Sequence, residues 1–173
     1  MKYLLIVIAI LVCSLSVLAQ SKTKAVVFPE NSKEFTVVFP SAPKIQDIFS
    51  GDVSGKKATL DIRDAGLKVE VMDFDARTMA GFERLDEKQI ASAAVNHGID
   101  NGFESVTVTT GRTNLGRFAK MQGYKTISGE RMIFEAVFHY GKKQVFVIYV
   151  GAPSRLYPST ATMNFFNSVK VVP

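Results

Sequence analysis

The sequence predicts an α+β fold: an antiparallel sheet of about seven or eight strands with a helix packed on each face. Three observations predict it. Most of the chain after residue 33 alternates apolar and polar residues with a period of two, in runs bounded by glycine, proline or aspartate. Two stretches, residues 85–101 and 159–168, switch to helical spacing behind residues that cap helices. Residues 145–150 carry bulky apolar side chains on both sides of a strand, and such a strand needs cover on both faces.

Residues 1–19 read as an export signal. Lys2 gives a positive start, residues 3–12 are an unbroken apolar run, and Val17 and Ala19 occupy the small-residue positions of a cleavage site, so that cleavage exposes Gln20. The alternative is an uncleaved anchor, because the apolar stretch approaches the roughly 20 residues that span a bilayer. Cys13 follows Val12, without the small residue that precedes a lipid-modified cysteine. The expected location is therefore periplasmic or secreted. Cleavage removes Cys13, the one cysteine in the chain, and with it any disulfide, thiol nucleophile or thiolate metal site. A remaining chain of this length buries roughly 68–70% of its unfolded surface and needs no cross-link.

The formal charge is +5, with the bases scattered and small pairs at Lys56-Lys57 and Lys142-Lys143. No basic stripe interleaved with aromatics is present, which argues against a nucleic-acid partner.

Residues 20–33 form a linker or, at the apolar patch before Pro29, a short edge strand. The folded domain is expected over residues 34–173. Residues 35–39 (FTVVF) open it as a strand that Pro40 and Pro43 terminate, and residues 44–49 return antiparallel to it. Residues 57–63 alternate cleanly, and residues 67–74 follow as their partner in a meander. Asp86 and Gln89 form a capping box for the helix over residues 85–101. Residues 105–110 and 118–127 are strands. Residues 131–140 and 144–150 form a hairpin around Gly141-Lys142-Lys143. Ser159 or Thr160 caps the last helix.

Two segments resemble a known family. FTVVFPSAPK at residues 35–44 is similar to the opening strand and proline-bounded turn of bacterial exported proteins in the PsbP-like α/β/α sandwich family. Residues 115–171 resemble that family's closing module: a strand, a long hairpin opened by Glu130-Arg131, a Gly151-Ala152-Pro153 break and a helix ending Phe165-Phe166-Asn167-Ser168. Val169 departs from the aromatic common at that place. These are packing and turn motifs, and the family spans a photosystem II extrinsic subunit, a Ran-binding import factor and bacterial envelope proteins. The resemblance implies the sandwich fold and an accessory or binding role more than an enzyme.

The residues offer no catalytic constellation. His97 and His139 are the available imidazoles, and no Gly-x-Ser-x-Gly elbow, phosphate loop or cofactor tract is present. His97 is placed near a helix C-terminus, where the dipole favours its charged form. Asp73 and Asp75 share a strand side and are the weak alternative for a hard cation. For partner binding the candidates are Arg117, Lys120, Glu135 and His139, which neighbouring strands bring towards one region. The leading expectation is a non-catalytic, monomeric accessory or binding protein of the cell envelope, without cofactor, that meets a protein or lipid partner through a groove or sheet edge. The alternatives are a small carboxylate-dependent hydrolase and, if the signal segment is kept, a membrane-tethered domain.

Overall fold

The computed structural model describes residues 24–31, 34–51, 53–114 and 116–171. The expected signal segment, residues 1–19, lies outside the described residues. The elements run β1 (Val26–Phe28), β2 (Phe35–Phe39), β3 (Lys44–Ser50), β4 (Val53–Ile62), β5 (Ala65–Asp73), α1 (Ala76–Arg84), α2 (Glu87–Asp100), β6 (Glu104–Thr113), β7 (Gly116–Ile127), β8 (Glu130–Tyr140), β9 (Gln144–Pro153), a 3₁₀ turn at Ser154–Leu156, α3 (Thr160–Asn167) and β10 (Lys170–Val171).

Seven strands form one antiparallel sheet in the order β3-β4-β5-β9-β8-β7-β6, and β1-β2-β10 form a smaller one. The fold class is thus α+β, as the alternating pattern predicts. The central strand is β9, the segment apolar on both sides. On one face Ile90 and Ala94 of α2 pack with Ala119, Met121, Ala136 and Val147. On the other, Phe35, Val37 and Phe39 of β2 and Phe165 of α3 pack with Val69, Phe146, Ile148 and Val150. Each face carries a helix, and α3 shares its face with the small sheet.

That small sheet corrects one expectation and decides between two others. Residues 35–39 do not pair with residues 44–49. β2 lies in the second layer between β1 and β10 (Phe28↔Val37, Lys170↔Thr36), and β3 pairs with β4 instead (Lys44↔Thr59). The reason is the shape of β2, whose Phe35, Val37 and Phe39 are all fully buried on one side and supply an apolar face ready to lie over β9. Of the two readings of the stretch before Pro29, linker or edge strand, Val26–Phe28 takes the second.

Both expected helices are present with their caps. Asp86 accepts from Gln89 N at 2.7 Å while the Gln89 side chain accepts from Asp86 N at 2.8 Å, and Ser159 accepts from Thr162 N at 3.2 Å. The third, α1, was not expected, and Asp75 is its N-cap, accepting from Thr78 N at 2.7 Å. The β7–β8 hairpin turns on Ser128-Gly129, where both residues have positive φ (51° and 80°), the conformation for which glycine is suited. Among the described residues no helix is long and apolar enough to cross a membrane.

One polar contact ties the layers. The Glu34 carboxylate, just ahead of β2, accepts from the backbone N–H groups of Lys142 (2.8 Å), Lys143 (3.0 Å) and Gln144 (3.1 Å) in the β8–β9 loop. Any side chain at residue 141 would run into that carboxylate, which explains Gly141. Charge-assisted bonds of this kind contribute roughly 1.5–3 kcal/mol. Glu34→Ala is therefore expected to lower unfolding free energy by about 1–3 kcal/mol in urea titration, with Glu34→Gln between the two; an unchanged midpoint for Glu34→Ala would show that the clip holds nothing.

Candidate functional site

The period of two sends Glu135, Val137 and His139 of β8 to the face beneath α3. Across β7 their partners are Gln122, Lys120 and Phe118, and across β9 they are Val150, Ile148 and Phe146. Glu135 is 4% exposed. Lys120 Nζ lies 2.8 Å from its Oε1, and Gln122 Nε2 donates to its Oε2 at 3.3 Å. The Tyr157 hydroxyl also bonds to Glu135, and burial, reinforced by that carboxylate, pushes the Tyr157 phenol well above its ordinary pKa. An opening of about 260 Å³ lies above this floor, lined by Lys120, Glu135, Val137, His139, Phe166 and Val169 among others. This is the groove between helix and sheet in which recognition was anticipated.

Three of the four anticipated binding residues thus meet. Arg117 does not. It stands an odd number of positions from Lys120, so its side chain goes to the other face, where the guanidinium donates to Phe82 O (3.0 Å) and to Glu83 O at the end of α1. It joins the Leu85 N–H on Phe82 O and reaches Glu83 O, a cation at the negative end of the helix dipole.

His139 is stacked on Phe146 (ring centroids 4.5 Å apart, 16° between planes), with Phe118 at 6.1 Å. Its Nδ1 is buried without a hydrogen-bond partner. Burial drives its pKa down to about 4, so the ring is neutral at neutral pH. His97 lies near the C-terminus of α2 as expected, yet its pKa is lowered rather than raised, because burial, followed by the charge of Lys68, outweighs the nearby acids. Asp73 and Asp75 do not converge: Asp75 caps α1, and Asp73 accepts from Gln144 Nε2 at 3.0 Å. Among the described residues no three His, Cys, Asp or Glu side chains gather as a metal site.

A second opening was not anticipated. The end of β1 and residues 29–31 stand off from the β3–β4 hairpin and leave about 500 Å³, lined by Phe28, Ile45, Phe49, Val71, Asp73 and Gln144 among others. The opening depends on β2 lying in the other layer, which the expected pairing of residues 35–39 with 44–49 did not provide.

No family model matches the chain, and no curated protein matches it in sequence. Among solved structures, it is similar to a protein of Bacteroides thetaiotaomicron (10% identity, TM-score 0.44) over 88% of this chain and 49% of that one, so it spans about half that protein's length. It is also similar to LpqN, involved in cell envelope biogenesis of Mycobacterium tuberculosis (11% identity, TM-score 0.42), over 87% of this chain and 91% of that one. Likenesses this distant carry no reading of function.

The depressed His139 pKa makes stability depend on pH. Above an unfolded pKa of 6.5 both states are neutral. As pH falls from 6.5 towards about 4 the unfolded chain takes up a proton that the folded ring refuses, so stability is lost across that window, by about 3 kcal/mol at most. His139→Phe keeps the stack on Phe146 and is expected to flatten this acid limb in denaturant titrations at stepped pH. An unaltered slope would assign the acid sensitivity elsewhere.

Proposed function

We propose that this chain is an exported, non-catalytic recognition protein of the cell envelope, built on a PsbP-like sandwich, that engages its partner in the groove between α3 and the large sheet. The observation that carries the reading is Glu135. Its carboxylate sits at the floor of a groove rimmed by Phe166 and Val169, engaged by one cation and by neutral donors. Such a carboxylate orients its neighbours: Lys120, whose side chain is 47% exposed, is held with its ammonium at the mouth, ready to meet a polar group on a partner while the rim takes an apolar one.

The same geometry argues against carboxylate-pair hydrolysis in this groove. That chemistry needs two acids roughly 5–10 Å apart in one cleft. Glu135 is the one acid among the described residues that line this cavity.

The reading is tested in cells that express the full chain with a photoreactive side chain at Asn114, an exposed position on the cavity wall. A discrete adduct is expected, and Lys120→Met is expected to reduce its yield about tenfold, the effect of one charged contact of about 1.4 kcal/mol. An adduct insensitive to Lys120, or none at all, removes the groove as the recognition site. The mass of the purified mature chain tests export, with a start at Gln20 expected and retention of residues 1–19 counting against it.

A further inference from the structure

We propose that the opening at the β3 edge is a second binding site, which takes the straight chain of an aliphatic amphiphile whose head donates hydrogen bonds. It shares no lining residue with the groove at Lys120 and does not depend on the function proposed there. Its volume of about 500 Å³ falls within the range of roughly 300–1,000 Å³ usual for small-molecule sites.

The apolar part is built by register. Pairing of Ile45 with Ala58 and of Phe49 with Ser54 puts Ile45 and Phe49 on the side of the large sheet that the small sheet covers farther in. Over β5 that cover is complete, with Val71 4% exposed and Phe28 above it 2% exposed. Over β3 it stops short, and Ile45 and Phe49 stand 51% and 81% exposed at the mouth. The inter-layer core thus continues to the sheet edge as an open apolar trough, lined by Phe28, Pro29, Ile45, Phe49 and Val71. Ile45 and Phe49 are four positions apart on β3, with the Asp47–Lys56 pair between them on the same side, and exposed large apolar side chains on an open groove mark a surface that a ligand can cover. The cation in the lining, Lys56, is held by Asp47 at 3.4 Å.

The polar part determines the head. Glu30, Asn31, Ser54, Asp73 and Gln144 share the lining. Gln144 is 5% exposed; its Nε2 donates to Asp73 at 3.0 Å, while its Oε1 is buried with no partner. A buried acceptor without a donor is costly and is rare in folded proteins. With Glu30 and Asp73 in the same lining, the wall is rich in acceptors. A hydroxyl head matches it, whereas a carboxylate or phosphate head meets like charge.

The test is calorimetric titration of the full chain with octan-1-ol and decan-1-ol. Each buried methylene raises affinity about fourfold, so decan-1-ol is expected to bind roughly fifteenfold more tightly than octan-1-ol. Decanoate is expected to bind about tenfold or more weakly than decan-1-ol, because its charge faces Glu30 and Asp73. Ile45→Ser and Phe49→Ser change side chains that are already exposed and leave the thermal midpoint in place; each is expected to weaken decan-1-ol about tenfold. Absence of a chain-length dependence, or indifference to both substitutions, overturns the site. Equal affinity for decanoate and decan-1-ol overturns the head that it is proposed to accept.

Discussion

Burial of β9 on both faces is the constraint from which the other layers follow, because Val145, Phe146, Val147, Ile148 and Val150 each keep 4% or less of their exposure. A side chain of this kind contributes roughly 1.5–3 kcal/mol only when it is fully withdrawn from water. An edge position or a single covered face would forfeit half the set. The chain meets the requirement by docking the last strand of the β6-β7-β8-β9 meander on the last strand of the β3-β4-β5 meander, so that β9 pairs with β5 on one side and β8 on the other. One layer of cover then comes from α2, and the other has to come from the two ends of the chain.

That second layer explains why segments far apart in sequence are joined by polar contacts as well as by packing. Phe35 stacks on Phe146 with ring centroids 3.3 Å apart, and Phe39 meets Phe165 at 5.0 Å. Around this apolar seam, Ser168 accepts from Val38 N at 2.9 Å, and Glu34 accepts three N–H groups of the β8–β9 loop. Apolar stacking tolerates sliding along the seam, whereas hydrogen bonds at both ends of β2 set its position over β9. The alignment matters for both openings, since each is a place where the second layer stops short of the large sheet.

Much of the large sheet was legible because its determinants are local. Alternation identified the strands, the Asp86–Gln89 box located α2, and the doubly apolar run of β9 required two layers of cover. What was not legible depends on partners. Alternation in β2 says which side chains share a face, but nothing local says which sheet that face will meet. α1 was missed because Asp75, its cap, was read as a cation ligand, and its short stretch buries a single residue, Met79. The misplacement of Arg117 is different in kind: its odd separation from Lys120 on one strand already puts the two on opposite faces. The Glu34 clip left no sequence signal, since a carboxylate bound by backbone N–H groups needs no particular side chains opposite it.

The Lys120–Glu135 pair is the feature for which packing gives no account. A buried ion pair seldom improves on well-packed apolar residues of similar size, because desolvation offsets the attraction. Here the two partners are unequal, with the carboxylate side chain 5% exposed and that of lysine 47% exposed. The acid bears the desolvation while the base remains within reach of solvent. An apolar residue at 135, beside Val137, Ile148 and Val150, would extend the core without this cost. Stability alone therefore does not call for the charge, and what the arrangement does achieve is to hold an ammonium in one orientation at the mouth of an apolar groove. His139, two residues along the same strand face, makes the contrast plain. Stacked and neutral, it is accounted for by packing, and it adds shape to the groove without adding charge.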